Sequence, residues 1–171
     1  MEGHIGFMLV ATSLVMLMTP GLAFFYGGLA GRRNILGIMI QTFVSLGITT
    51  ILWWAIGYSL SFSGSGGVIG NFNNAFLMDY TLEELYSSED GSIPPLLFFA
   101  YQMMFAIITP ALITGAFINR ITFKSYLIFL VLWQVFVYYP FVHMVWGGGI
   151  LQQWGVLDFA GLPESGFRED G

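Results

Sequence analysis

At 171 residues the chain has the length of one ordinary soluble domain, yet only 9% of its residues are charged and 56% are hydrophobic, with a mean hydropathy of +0.76. A soluble surface needs far more charge, so the composition excludes a soluble fold and leaves a polytopic membrane protein. The net charge of −5, with no basic patch, argues against a nucleic-acid partner, and the lack of cysteine removes disulfides and thiolate chemistry.

The charges are clustered. Residues 3–31, 34–78, 91–119 and 125–157 contain no Asp, Glu, Lys or Arg, and each run exceeds the ~20 apolar residues that cross a hydrocarbon core. The opening MEGHIGF has no basic n-region and no small-residue cleavage site, so the first run reads as a retained helix over about 5–29. Pro20-Gly21 should kink it, which requires neighbouring helices to satisfy the freed carbonyl. Gly27 and Gly31 have small-xxx-small spacing, a packing face, and Arg32-Arg33 ends the span.

The second helix is predicted over about 35–62, with Trp53, Trp54 and Tyr58 as interface-belt residues near its far end. Gln41, Thr42, Ser45, Thr49 and Thr50 recur at intervals of three or four. Interhelical hydrogen bonding, worth ~0.6–2 kcal/mol per contact, is the common meaning of such a pattern; a polar lining is the rarer one. Residues 63–93 form a long acidic loop at one end of the spans. Within it TLEELYSSED predicts a short surface helix, with Thr81 as N-cap and Glu84 completing a capping box. Its acids either solvate the loop or enrich cations locally.

Pro94-Pro95 opens a third helix over about 95–117, which Pro110 should bend. Tyr101 and Phe105 are one turn apart on one face, beside Gln102; an aromatic stripe of this kind is most often packing. The fourth helix is predicted over about 125–139, because Pro140 should bend or stop it. Gly147, Gly148 and Gly149 then permit a backbone turn closed to other residues. Trp146, held on that turn, can anchor the chain at the membrane interface or present its ring face to a cation. His143 reads as a capping or interface residue. Arg32, Arg33, Arg120 and Lys124 fall in the two loops that four alternating spans place on one side. The positive-inside rule makes that side cytoplasmic, and so puts the N-terminus, the acidic loop and HMVWGGG outside.

TPGLAFFYGGLAGRRN, FAYQMMFAIIT, INRITF and FVHMVWGGGILQQWGVLDFAG occur in this order. Over residues 11–161 they resemble the ammonium transporter family (Amt, MEP and Rh proteins), and the FYGGL form is closer to the Amt/MEP branch. The resemblance implies an all-α polytopic membrane fold. The family's eleven helices assemble as homotrimers, with a pore in each subunit between two inverted five-helix repeats. This chain would carry the first four helices, with the fifth missing or only begun. The resemblance implies ammonium or ammonia as substrate and the bilayer of the cell membrane as the setting. It further implies an outer recruitment site in which Trp146 stacks on ammonium, a gate to which Phe105 contributes, and Tyr101 and Gln102 near the vestibule. Gly147, Gly148, Gly149 and Asp158 would support that site, the last helped by a helix-terminus dipole.

Residues 162–171, LPESGFREDG, depart from the family pattern as a divergent polar tail, with Gly166 where a pore-lining histidine belongs. The chain alone is therefore expected to lack a complete pore. A membrane-embedded ammonium sensor or scaffold, and a non-functional truncated product, are the alternatives. No Ser/His/Asp arrangement, metal-ligand cluster or phosphate loop is visible, so no enzyme activity, cofactor or metal is expected.

Overall fold

The computed structural model describes residues 2–30, 34–86, 93–117 and 120–156. Among these residues, four apolar helices are long enough to cross a membrane. The first, α1, is Glu2–Leu29 and stays helical through Pro20. The second, α2, is Ile35–Phe62; its regular turns are interrupted by a π-helical turn at Trp53–Gly57, closed by the Tyr58 N–H donating to the Trp53 carbonyl. The third, α3, is Pro95–Phe117 and contains Pro110. The fourth, α4, covers residues 123–146 as Phe123–Trp133, a π turn at Gln134–Tyr138, and Tyr139–Trp146. Thr122 caps α4 by accepting from the Ser125 N–H at 3.3 Å.

The fourth helix thus runs past Tyr139, against the expectation that Pro140 would end it. The π turn directly before Pro140 closes with an i→i−5 bond from Tyr139 to Gln134. A turn of that width has already displaced the carbonyls that a proline ring would strike, so the helix continues after it.

In the bundle α1 packs on α2 and α3, α2 packs on α3 and α4, and the last turns of α4 lie against the end of α2. Here the first π turn meets Tyr139, the residue whose amide closes the second. Gly57 in the first lets the Tyr139 ring lie so close that a Cβ on residue 57 would stand 2.6 Å from Cζ. Around this contact Trp53, Tyr58, Phe99, Tyr138, Tyr139 and Val142 form an apolar cluster. Trp53 is fully buried and donates its indole N–H to the Phe99 carbonyl at 3.3 Å. Trp53 and Tyr58 are therefore core residues, and only Trp54 keeps the exposure that a belt role needs.

The polar stripe on α2 is turned inwards. Thr42, Ser45 and Thr49 are completely buried. Ser45 donates to the Ile107 carbonyl at 3.3 Å, and Thr49 accepts from Gln134 at 2.7 Å. These bonds fasten α2 to α3 and α4, which is the packing meaning of the stripe.

Between α2 and α3 the loop folds back on the end of α2. The Gly70 N–H donates to the Leu60 carbonyl, and Ser59 bonds both the Asn71 carbonyl and the Asn74 N–H. The short helix Leu82–Tyr86 follows, with Thr81 and Glu84 exchanging hydrogen bonds at 2.7 and 3.3 Å as a reciprocal capping box.

Candidate functional site

Trp146 is the last residue of α4 and is 47% exposed. The turn after it is tied to the helix by two amides, those of Gly147 and Gly149, which both donate to the His143 carbonyl at 3.0 Å. A side chain on Gly147 would collide with the Ser61 carbonyl oxygen, so this position must be bare. Gly148 has φ +86°, in the left-handed region where L side chains are strained. Its peptide is held on both sides: the N–H donates to Gln152 Oε1 at 2.7 Å, and the carbonyl accepts from Gln153 Nε2 at 2.8 Å. Gly149 lies close over the last turn of α4, where a Cβ would come within 2.6 Å of the His143 carbonyl oxygen.

The turn is also joined to the neighbouring loop. The buried His143 ring sits between two carbonyl oxygens, with Nδ1 3.0 Å from Ser61 and Nε2 2.7 Å from Gly66. The Ile150 N–H donates to the Gly67 carbonyl at 2.7 Å. An indole is thereby presented to the surroundings from a backbone fixed on three sides. Asp79, Glu83 and Glu84 are exposed at this same end of the bundle. The Thr81 backbone N–H, aided by its hydroxyl, holds the Glu84 carboxyl below the usual carboxylate range.

Tyr101, Gln102 and Phe105 lie in the first turns of α3 and are each half-buried. The Tyr101 and Phe105 rings meet edge-on with centroids 5.1 Å apart, the geometry favoured by opposed ring quadrupoles. No ring contact among the described aromatic residues joins Trp146 to this pair. Asp158 lies outside the described residues, as do Arg32 and Arg33. A cavity of about 450 Å³ lies at the opposite end of the bundle from Trp146, lined by Asn34, Gln41, Ile121 and Phe123 among others. Among the described residues no cluster of His, Cys, Asp or Glu could hold a metal ion.

Residue patterns did not single out His143 as a clamp, nor Gln152, Gln153 and Gln134. The available signal was a set of polar side chains inside or beside an apolar run, which must find partners when buried. Gln134 is completely buried in mid-helix, and its partners come from three elements: Thr49 of α2, Ala106 of α3 and Tyr139 of α4.

The family model described as Ammonium Transporter Family matches residues 6–162. The chain is 43% identical over 161 residues to ammonium transporter Amt1 of Archaeoglobus fulgidus, covering 94% of this chain and 38% of that one. It is 43% identical over 159 residues to an ammonium transporter of Bacillus subtilis, covering 93% and 39%. The crystal structure of Candida albicans Mep2 superposes with a TM-score of 0.80 at 31% identity, over 94% of this chain and 35% of the other. The chain thus spans a little under two fifths of the length of these curated relatives. By sequence and by fold it belongs to the ammonium transporter family.

Proposed function

We propose that this chain supplies the recruitment side of an ammonium transport pathway. Trp146 stacks its indole face on an ammonium ion at the outer membrane surface. Below it Phe105 contributes to a gate, Tyr101 and Gln102 border the vestibule, and Asp158 supports the turn. The carrying observation is the half-exposed indole on a turn whose backbone is pinned by His143, Gln152 and Gln153. A fixed ring loses little entropy on binding, and a compact cation gains ~0.5–2 kcal/mol over it as water is shed. The exposed acids at the same end raise the local cation concentration. With the basic residues Arg120 and Lys124 at the other end, this end faces outwards.

The bundle by itself offers one wall of a path. Its central polar groups, on Thr49, Gln134 and Tyr139, are consumed by bonds to one another and to Ala106. A permeant ion or ammonia therefore travels along a face of the bundle and needs a second wall, as in pores built between repeats. The trimeric assembly implied by the resemblance belongs to the same proposal.

Vesicles carrying the 171-residue chain should bind methylammonium at their surface and show no saturable uptake. Trp146→Leu should weaken binding roughly two- to thirtyfold, the equivalent of one ring–cation contact. Because the chain lacks cysteine, orientation can be read with single replacements. Tyr86→Cys should react with an impermeant thiol reagent from outside and Lys124→Cys should not. Saturable uptake abolished by Trp146→Leu would contradict the one-wall reading, and reversed labelling would contradict the orientation.

A further inference from the structure

Pro110 has no amide hydrogen, so in α3 the carbonyl four residues earlier, on Ala106, has lost its helical partner. Ala106 is completely buried, where a bare carbonyl is costly. The replacement comes from another helix. The side-chain amide of Gln134 donates to the Ala106 carbonyl at 3.1 Å and to Thr49 Oγ1 at 2.7 Å, while its oxygen accepts from the Tyr139 hydroxyl at 2.6 Å. A carbonyl can only accept, which fixes the nitrogen of Gln134 towards Ala106. The next carbonyl of the broken turn, on Ile107, receives the Ser45 hydroxyl from α2 at 3.3 Å.

The π turn at Gln134–Tyr138 makes this possible. In a regular helix residues five apart point about 140° away from each other. The wider turn brings Gln134 and Tyr139 together on the face that looks at α2 and α3. Phe105 immediately precedes the capped Ala106, and its ring partner Tyr101 is one turn further towards the loop end.

We propose that Gln134 is a positioning residue: by capping the carbonyl freed by Pro110, it sets the angle at which the Tyr101–Phe105 half of α3 stands against α2 and α4. Its consequence for transport rests on the reading of Phe105 as part of a gate; the structural role does not.

The test uses the whole chain in lipid nanodiscs without ligand, with spin labels on introduced cysteines. One pair, Leu97→Cys with Phe141→Cys, reports the loop-end half of α3 against α4. The other, Ala116→Cys with Ile128→Cys, reports the opposite half. Gln134→Met keeps the length and loses the donors. It should shift and broaden the first distance and leave the second unchanged. Pro110→Ala restores a backbone amide to Ala106, so Gln134→Met combined with Pro110→Ala should recover the narrow first distance. An unchanged first distance in Gln134→Met, or a failure of Pro110→Ala to restore it, overturns the proposal. If Gln134→Met alone does not fold, the comparison is Pro110→Ala with and without Gln134→Met: equal first distances support the proposal, and a first distance that Gln134→Met still shifts or broadens there overturns it. Because no ligand is present, these distances are independent of whether Trp146 binds ammonium.

Discussion

Trp146 and the Tyr101–Phe105 pair are anchored differently, because close main-chain contact is added only at the Trp146 turn. The turn carrying Trp146 is held by the side chains of His143, Gln152 and Gln153 and, beyond them, by close main-chain contacts: Gly147 lies against the Ser61 carbonyl, and the Ile150 amide bonds the Gly67 carbonyl. The segment carrying Phe105 is fastened through side chains, with Gln134 and Ser45 reaching the carbonyls beside Pro110. A main-chain anchorage demands the absence of a side chain and fails when a methyl is added. A side-chain anchorage demands a donor in hydrocarbon and fails when that donor is lost. The first suits a ring that must stand exposed without moving; the second leaves a helix whose angle is set from outside it.

The contrast can be broken first at Gly147. Gly147→Ala adds a Cβ where the Ser61 carbonyl stands, and should cost ~1–3 kcal/mol through overpacking. Thermal unfolding in detergent reads this as a lowered midpoint, and an unchanged midpoint would show that the loop gives way freely. A smaller effect tests whether the two anchorages are separate. Gly147→Ala and Gln134→Met share no hydrogen-bond partner, so their costs should add within ~0.3–0.5 kcal/mol. Marked non-additivity would mean that α4 transmits strain between its π turn and its end. The smallest effect lies in the loop. The Glu84 carboxyl is held below its unfolded value by Thr81, so its capping contribution is complete above the unfolded pKa. It is lost as pH falls through the lower folded value. Protection of the Leu85 amide, which bonds the Thr81 carbonyl, measured against its intrinsic exchange rate at each pH, should fall over that acid range while the protection of the α4 amides does not change.

The four spans were legible because charge and apolarity separate cleanly along the chain: Arg120 sits between α3 and α4, and Lys124 in the first turn of α4, ahead of its apolar run. The capping box at Thr81 and the edge-on pair at Tyr101 and Phe105 follow from fixed spacings of three and four. What spacing could not reveal are features that depend on a change of helical period. The π turns at Trp53–Gly57 and Gln134–Tyr138 shift the register by one residue. That shift buries Trp53 and Tyr58, pairs Gln134 with Tyr139, and lets α4 pass Pro140. A lone glutamine or histidine in an apolar run announces that it needs a partner, and not which one. His143 found its partners 82 and 77 positions away.

The direct test of a cation site at Trp146 is the ¹⁵N-indole spectrum of the chain in lipid nanodiscs during titration with methylammonium, with sodium chloride of equal ionic strength as the control. The Trp146 resonance, assigned by its loss in Trp146→Leu, should shift saturably with methylammonium alone, while the buried Trp53 resonance stays fixed. A Trp146 resonance that does not move, or moves equally with sodium, would contradict the account and return this indole to the role of an interface anchor.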